Sequence, residues 1–353
     1  MQNLQEVQTE AGATFGEFAG VPVPVSFGND SDAIKAAENG VALCDRSHWG
    51  RIQVSDEDRL RFLHNQSTNV FQGLQPGQGC DTVFVTSTAR TIDLVTAYVT
   101  EDAVLLMVSP NRRQYLIDWL DRYIFFADKV QLFDLTTKTA AFSLIGAGSD
   151  DLLNQLGAAI QDTGQPYATH QLLQIGDIQV RVAIGSGLAA PGYTMIVPLE
   201  QAATLWSRIV QTGAVPLGDR VWEQLRIQQG RPAPDHELTE DYNPLEAGLW
   251  QTISFEKGCY IGQETIARLN TYKGVKQQLW GIRLKAAAQP GSVITVGDEK
   301  VGKLTSYTET AQGAFGLGYV RTKAGGEQLK VQIGDTEGEI VNVPFVTYDY
   351  MGE

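Results

Sequence analysis

Residues 257–264 read KGCYIGQE: a lysine, a cysteine and two glycines within eight positions, followed by TIARLN, the opening of a helix. A thiol placed between a lysine and a glycine-bounded helix start has two chemical readings. Helix N-termini and neighbouring ammonium groups favour thiolate over thiol, which would make Cys259 a working nucleophile or redox group with Lys257 as its electrostatic partner. Cysteine is equally among the most commonly buried residues and serves as plain core. Gly258 and Gly262 open backbone conformations closed to other residues and permit close approach to a ligand. Physics alone leaves the two readings level.

Further chemistry lies just upstream. On the helix ending at Gly230, Glu223 and Arg226 are three positions apart and share a face, where a bland surface ion pair would contribute at most about 1 kcal/mol. RPAPDHELTEDYNPLEAG then runs for 18 residues with little regular structure. Loops of that length inside compact domains are functional or mobile, and the prolines and acidic pairs predict an ordered, solvated path over the surface. Other motifs are absent. GAGSDD lacks the dinucleotide fingerprint, and no phosphate-cradling loop occurs. IGSGL lacks the nucleophile-elbow frame. Cys44 and His48 are four apart without a second zinc-type pair, and no CxxC is available for a cluster. His64, His170 and His236 are isolated and read as surface or capping residues.

The elements that must position these groups alternate between strand and helix up to about residue 270. SDAIKAAENG is a short helix capped by Ser31 or Asp32 and stopped by Gly40. RIQVSDEDRLRFLHN runs a strand into a helix capped by Ser55 or Asp56. TVFVTS, IDLVTAYV and AVLLMVS read as strands of one sheet. SPNRRQYLIDWLDRY is an amphipathic helix, capped at Ser109, with Tyr115, Ile117, Trp119, Leu120 and Tyr123 on its buried face. LLQIGDIQVRVAIG is a hairpin turning at Gly176-Asp177. After about residue 274 strands dominate, with hairpin turns at Gly297-Asp298 and Gly334-Asp335.

Composition bounds the function. With 353 residues, two or three domains are expected. The formal charge is −14, from 27 basic and 41 acidic residues, and no basic run offsets it. A protein that neutralises many phosphates needs a basic face, so direct nucleic-acid binding is not expected. No apolar span reaches membrane length and no secretory signal is visible, so no membrane partner is expected. Three cysteines, an odd number, suggest a reducing compartment, and the expectation is a cytoplasmic protein.

KGCYIGQE resembles the K-G-C-Y-x-G-Q-E signature of the YgfZ family of folate-binding proteins, and the match is complete. LRIQQGRP followed by NPLEAGL is similar to that family's arginine-containing helix and loop. VALCDRSHWGRIQV is similar to the D-x-S-H-x-G segment of the wider superfamily of glycine-cleavage aminomethyltransferases (T-proteins). The resemblance implies an α+β fold of three domains in a cloverleaf around a central folate channel. These are a discontinuous folate-binding domain (1–50 with 140–274), a ferredoxin-like domain (51–139) and a C-terminal β-barrel (275–353). It implies tetrahydrofolate as cofactor, Arg226 as the contact for its anionic tail, and Gln263 and Glu264 as motif residues beside it. Tyr260 and Trp250 are candidate walls for the pterin ring.

The departures bear on the reaction. T-proteins carry an Asp in the strand pattern G-G-I-x-D-D-L; in TARTIDLV, anchoring on Asp93-Leu94 puts Ile92 at that position. A slip that rescued Asp93 would turn it to the other face of the strand. In PGYTMIVP an aliphatic residue replaces the Glu of G-Y-T-G-E. Losing one positioned acid or base typically slows a reaction about 10²–10⁴-fold. The resemblance therefore implies a folate-binding protein that supports the maintenance of iron–sulfur enzymes, its clients, and through them tRNA modification, with Cys259 as key thiol. Two alternatives stand beside it: a folate-dependent aminomethyl transferase of the T-protein kind, and a non-catalytic interaction scaffold with a vestigial pocket.

Overall fold

The computed structural model describes residues 3–160 and 164–348. The chain forms two compact units, one from Met1–Leu63, Phe71–Asp81 and Val95–Glu223, the other from His64–Val70, Thr82–Leu94 and Gln224–Glu353.

The first unit is built on a six-stranded sheet. Its order is His170–Ile175, Ile178–Ile184, Gly192–Pro198, Thr139–Ile145, Ala42–Asp45 and Val215–Leu217, antiparallel except for the last pair. Alternate residues of each strand enter one core, as a period of two requires: Ala140, Phe142 and Leu144; Val180 and Val182; Tyr193, Met195 and Val197. Trp206 and Leu205 of the helix Ala202–Gln211 cover them. Each fully buried side chain of this size stabilises by roughly 1.5–3 kcal/mol. The expected hairpin turns at Gly176 with φ +62°, a value open to glycine without strain.

A five-stranded sheet has the order Gly79–Val85, Thr91–Val99, Ala103–Val108, Gly50–Ser55 and Gln131–Asp134. The three strands expected to share one sheet do so. Every residue of Thr91–Val99 and Ala103–Val108 is buried, so these strands are covered on both faces. The boundary between the units falls within the strands Gly79–Val85 and Thr91–Val99.

The second unit holds a closed six-stranded barrel: Gln277–Leu284, Gly313–Arg321, Glu299–Thr310, Val293–Val296, Lys330–Ile333 and Thr336–Val341. Both expected hairpin turns are present, with Gly297 at φ +57° and Gly334 at φ +56°. No α-helix follows Thr271 among the described residues, and no helix there is long and apolar enough to cross a membrane.

Several local expectations are corrected. The helix expected from Ser31 or Asp32 begins at Asp30 after Asn29, and the one expected from Ser55 or Asp56 begins only at Arg59. Ser109 precedes a 3₁₀ turn, Pro110–Arg112, rather than the α-helix Arg113–Asp121 itself. That helix buries Leu116, Trp119 and Leu120, while Tyr115 is 49% exposed; the buried stripe is centred one position away from the expected one. His64 and His170 are buried, not superficial; only His236 is exposed.

The 18-residue stretch also departs from the solvated path expected of it. Leu238, Tyr242, Leu245 and Ala247 are buried in the second unit's cores. Its order comes from internal hydrogen bonds. Asn243 Oδ1 accepts from the Leu245 and Glu246 amides, and the Asn243 amide donates to Glu246 Oε2. This reciprocal pattern, with Pro244 at the first turn, is that of a helix N-terminus. Tyr242 stacks on Tyr319 of the barrel, with ring centroids 3.5 Å apart.

Candidate functional site

The KGCYIGQE loop is held by its lysine. Lys257 is 8% exposed, and its Nζ donates to the carbonyl oxygens of His64 (2.5 Å), Ser67 (2.7 Å) and Asn69 (2.6 Å). An ammonium has three N–H donors, so the three carbonyls match its whole capacity. The Tyr260 ring lies 4.6 Å from Nζ as a cation–π partner. His64 belongs to the last turn of the helix Arg59–Gln66, whose terminal carbonyls must find their donors outside the helix's own ladder. The Ile261 amide supplies another by donating to Asn65 O at 3.1 Å. The motif therefore caps a helix C-terminus, where a cation is favoured by the macrodipole. Lys257 is expected from the sequence as the electrostatic partner of the thiol; in the structure its Nζ donates to these carbonyls. Cys259, two residues on, is exposed, and nothing lies within 4 Å of where a Cβ on Gly258 would sit.

The second glycine of the motif is placed by geometry. Gly262 has φ +82° and precedes the helix Gln263–Thr271, as expected from the sequence. A Cβ there would lie 2.8 Å from Val85 Cγ2 and 3.0 Å from Thr86 O. The motif thus sits directly on the turn that leads into the strand Thr91–Val99. Ala89 in that turn is fully buried with φ +61°, an uncommon backbone region for a residue with a side chain. The Thr91 amide donates to Tyr242 O (3.0 Å) and Arg90 Nη1 to Asp241 O (2.9 Å), which ties the turn to the buried stretch 231–248. Ile92 and Asp93 follow at once, both buried. Leu94 enters the second unit's core, so alternation puts Ile92 on the same face of the strand and Asp93 on the other.

Arg226 occupies a different environment from the one the resemblance implies. Its Nη1 lies 2.8 Å from Glu237 Oε2 and its Nη2 donates to Ser306 Oγ at 3.0 Å. Glu237 is fully buried and also accepts from Thr305 Oγ1 (2.6 Å), Ser306 Oγ (2.7 Å) and the Ala233 amide (3.1 Å). The Arg226 charge is neutralised inside the second unit, which removes it as a cation for an anionic tail. Trp250 and Tyr260 are likewise core residues, packed with Leu245, Ile253 and Ile266. The indole N–H of Trp250 donates to Leu245 O at 3.0 Å. Of the folate contacts expected from the sequence, Gln263 and Glu264 remain accessible, Glu264 the more so. Gln263 Nε2 is 3.4 Å from Lys257 O.

Glu237 and the three carbonyls around Lys257 are functional groups that the sequence reading does not find. Backbone carbonyls carry no residue identity, so no sequence signal exists for them. Glu237 lies within the stretch that reads as solvated, and its neighbouring prolines are the one hint that its backbone is fixed.

In the first unit the segment CDRSHWG forms a separate buried polar cluster. The Arg46 guanidinium lies 3.8 Å from the Trp49 ring centroid and 4.5 Å from that of Trp222, with Nη1 3.2 Å from Ser143 Oγ. Burial, reinforced by Arg46 and Arg51, holds His48 neutral with its pKa lowered to about 3. Burial pushes the Cys44 thiol well up, so it is an inert core thiol.

Comparison with known proteins fits this architecture. The family described as "GCVT N-terminal domain" matches residues 4–257. A protein of Arabidopsis thaliana named "Putative transferase At1g60990, chloroplastic" is 49% identical over 91% of this chain and 75% of its own length. The aminomethyltransferase of Mycobacterium tuberculosis is 27% identical over 97% of this chain and 96% of its own. The crystal structure of glycine cleavage system aminomethyltransferase T from Bartonella henselae superposes with a TM-score of 0.85 over 98% of both chains, at 20% identity. The chain therefore belongs to the GCVT N-terminal domain family and has the aminomethyltransferase-like α+β fold, with its barrel in the C-terminal region.

Proposed function

We propose that this protein binds a reduced folate and, as a YgfZ-type member of its family, supports the upkeep of iron–sulfur enzymes rather than turning over as an aminomethyltransferase. The observation that carries this reading is the pairing of an exposed Cys259 on a lysine-pinned loop with Ile92 and Ile196 at the positions where the transferase pattern has carboxylates. A transferase without both acids lacks the groups that would hold and move protons at the folate amine. An exposed thiol on a loop pinned by Lys257 is instead available to a second protein.

The fit of tetrahydrofolate to the expected residues is partial. Arg226, Trp250 and Tyr260 do not fit a cofactor contact, because each is committed within the second unit. Gln263 and Glu264 fit: an amide oxygen and a carboxylate accept hydrogen bonds, which the donor-rich edge of a pterin can supply. The folate tail then needs a cation other than Arg226. Iron–sulfur clients would meet the Cys259 loop, and a link to tRNA modification would run through such clients, since a net charge of −14 disfavours RNA itself. The chloroplast in the name of the Arabidopsis relative replaces a bare cytoplasmic expectation with a wider one: any reducing compartment satisfies the cysteine argument.

Calorimetry with tetrahydrofolate, on the wild type and Glu264→Ala, tests the binding; saturable heat weakened in the variant is expected. A turnover assay with an aminomethyl-lipoyl carrier tests the alternative, which the 27% identity to an aminomethyltransferase over nearly the whole chain favours. Multiple turnover would sink the proposed role. Complementation of an iron–sulfur enzyme defect should fail for Cys259→Ala; full complementation by that variant would point to a scaffold that does not use the thiol.

A further inference from the structure

The N-terminal helix Leu4–Glu10 and the hairpin of Thr14–Phe18 and Val21–Ser26 cover the end of the strand Ala42–Asp45 incompletely. They leave a cavity of about 300 Å³ lying wholly within the first unit. Phe15, Val21, Pro22 and Pro24 give it an apolar wall, and its polar end holds Asp45 and His48, both 7% exposed. That volume is at the lower end of small-molecule sites, and an apolar wall with a few convergent polar groups is their usual make-up.

The Asp45 carboxylate decides the ligand's charge. Its Oδ2 accepts from Gln8 Nε2 at 2.7 Å and its Oδ1 from the Ser47 amide at 2.8 Å. Both oxygens act as acceptors, the arrangement suited to an ionised carboxylate. Burial raises its pKa from the ordinary value, and the bonds from Ser47 and Gln8 act against that rise. A cation beside it would relieve the same burial cost. Among the described residues, no Lys, Arg or His forms an ion pair with it. Arg51, whose charge acts on Asp45 electrostatically, directs its guanidinium at the carbonyls of Ser47, Trp49, Thr136 and Thr139. Arg113 on the cavity wall is 3.5 Å from Asp134 and brings no net charge. His48 is neutral, for the reasons given above. Buried carboxylates are ordinarily paired with a cation. This one lines a cavity instead.

We propose that this cavity binds a small organic ammonium ion with a compact apolar body, the charged nitrogen set against Asp45 and the body against Phe15, Val21 and Pro22. The site is independent of the folate reading, since it uses none of the residues discussed there.

The test uses the full chain with 3-methylbutylammonium chloride as probe and 3-methylbutanol as its uncharged counterpart, followed by calorimetry and ligand-detected NMR. The ammonium ion should bind saturably and the alcohol at least about tenfold more weakly. Asp45→Asn, which keeps shape and loses charge, should weaken the ammonium ion by about tenfold or more. Val21→Phe, which fills the cavity and leaves Asp45 in place, should abolish binding. Thermal melts report whether each variant is folded, and if Asp45→Asn is not, Val21→Phe and the alcohol decide. Equal binding of alcohol and ammonium ion, indifference to either folded variant, or no saturable binding by the wild type would each overturn the proposal.

Discussion

The Lys257 ammonium lies 2.7 Å from the carbonyl oxygen of Ser67, 190 residues earlier in the chain. Together with the bonds to His64 and Asn69 it closes the end of one helix and opens the approach to the next. Lysine suits this task because its compact ammonium meets three acceptors at once while lying 4.6 Å from the Tyr260 ring centroid. A guanidinium is planar and cannot point three donors at one trigonal cage.

Lys257→Met is therefore expected to destabilise the protein by about 3 kcal/mol, since it leaves three carbonyls without their donor in a buried setting. Lys257→Arg should recover little of this. Cys259→Ser, at an exposed position in the same motif, should stay within about 0.5 kcal/mol. Urea titration of the three variants checks this. Equal losses in Lys257→Met and Cys259→Ser would show that the two residues act as one unit.

The buried pair of Arg226 and Glu237 makes a second prediction. Glu237→Gln leaves a guanidinium uncompensated and should cost about 3–5 kcal/mol, as should Arg226→Met. The double variant Arg226→Met/Glu237→Leu removes both charges and should lose much less than the sum, because desolvation of the pair offsets most of its attraction. A double-mutant cycle by denaturant melts gives the coupling. Additive losses would mean that the two side chains do not depend on each other.

The two motif glycines separate by geometry. Gly262→Ala forces φ +82° on a residue with a Cβ and presses it to 2.8 Å from Val85, so a loss of about 1–3 kcal/mol is expected. Gly258→Ala meets open space and should be close to neutral. Thermal melts distinguish them, and a neutral Gly262→Ala would mean the turn at Thr86–Ala89 yields readily.

Much of this architecture is legible where local chemistry decides it. The Gly-Asp turns at 176, 297 and 334 and the helix start at Gly262 follow from backbone freedom and capping, and each is where the sequence puts it. What depends on tertiary burial is not legible. Acidic pairs and prolines at 231–248 look solvated in one dimension, yet Leu238, Tyr242, Leu245 and Ala247 are too apolar as a set to remain exposed, and they carry the stretch into the core. Arg226 reads as a cation awaiting an anion, but the anion it meets is the chain's own Glu237. Lys257 stands out in the sequence as the thiol's partner, whereas its partners are carbonyls brought from residues 64–69.

Burial of two histidines sets the acid limb of stability. His48 has its pKa lowered to about 3, by burial first and then by Arg46 and Arg51, and His170 to about 4, by burial first and then by Arg181. His170 Nε2 is 2.9 Å from Val99 O and its Nδ1 is 2.9 Å from Arg181 Nη1, so a second ring proton would face a guanidinium. In the unfolded chain both rings protonate near pH 6.5. Below that pH the unfolded state binds more protons than the folded one, so stability rises with pH between the folded and unfolded values. The stabilisation is complete above about pH 6.5 and is lost as pH falls toward 4, each ring contributing up to about 1.4 kcal/mol per pH unit in that window. His48→Asn and His170→Gln should each flatten the fall of the urea midpoint between pH 6.5 and 4.5, whatever they do to stability at pH 8. An unchanged slope in both variants would assign the acid sensitivity to groups other than these two rings.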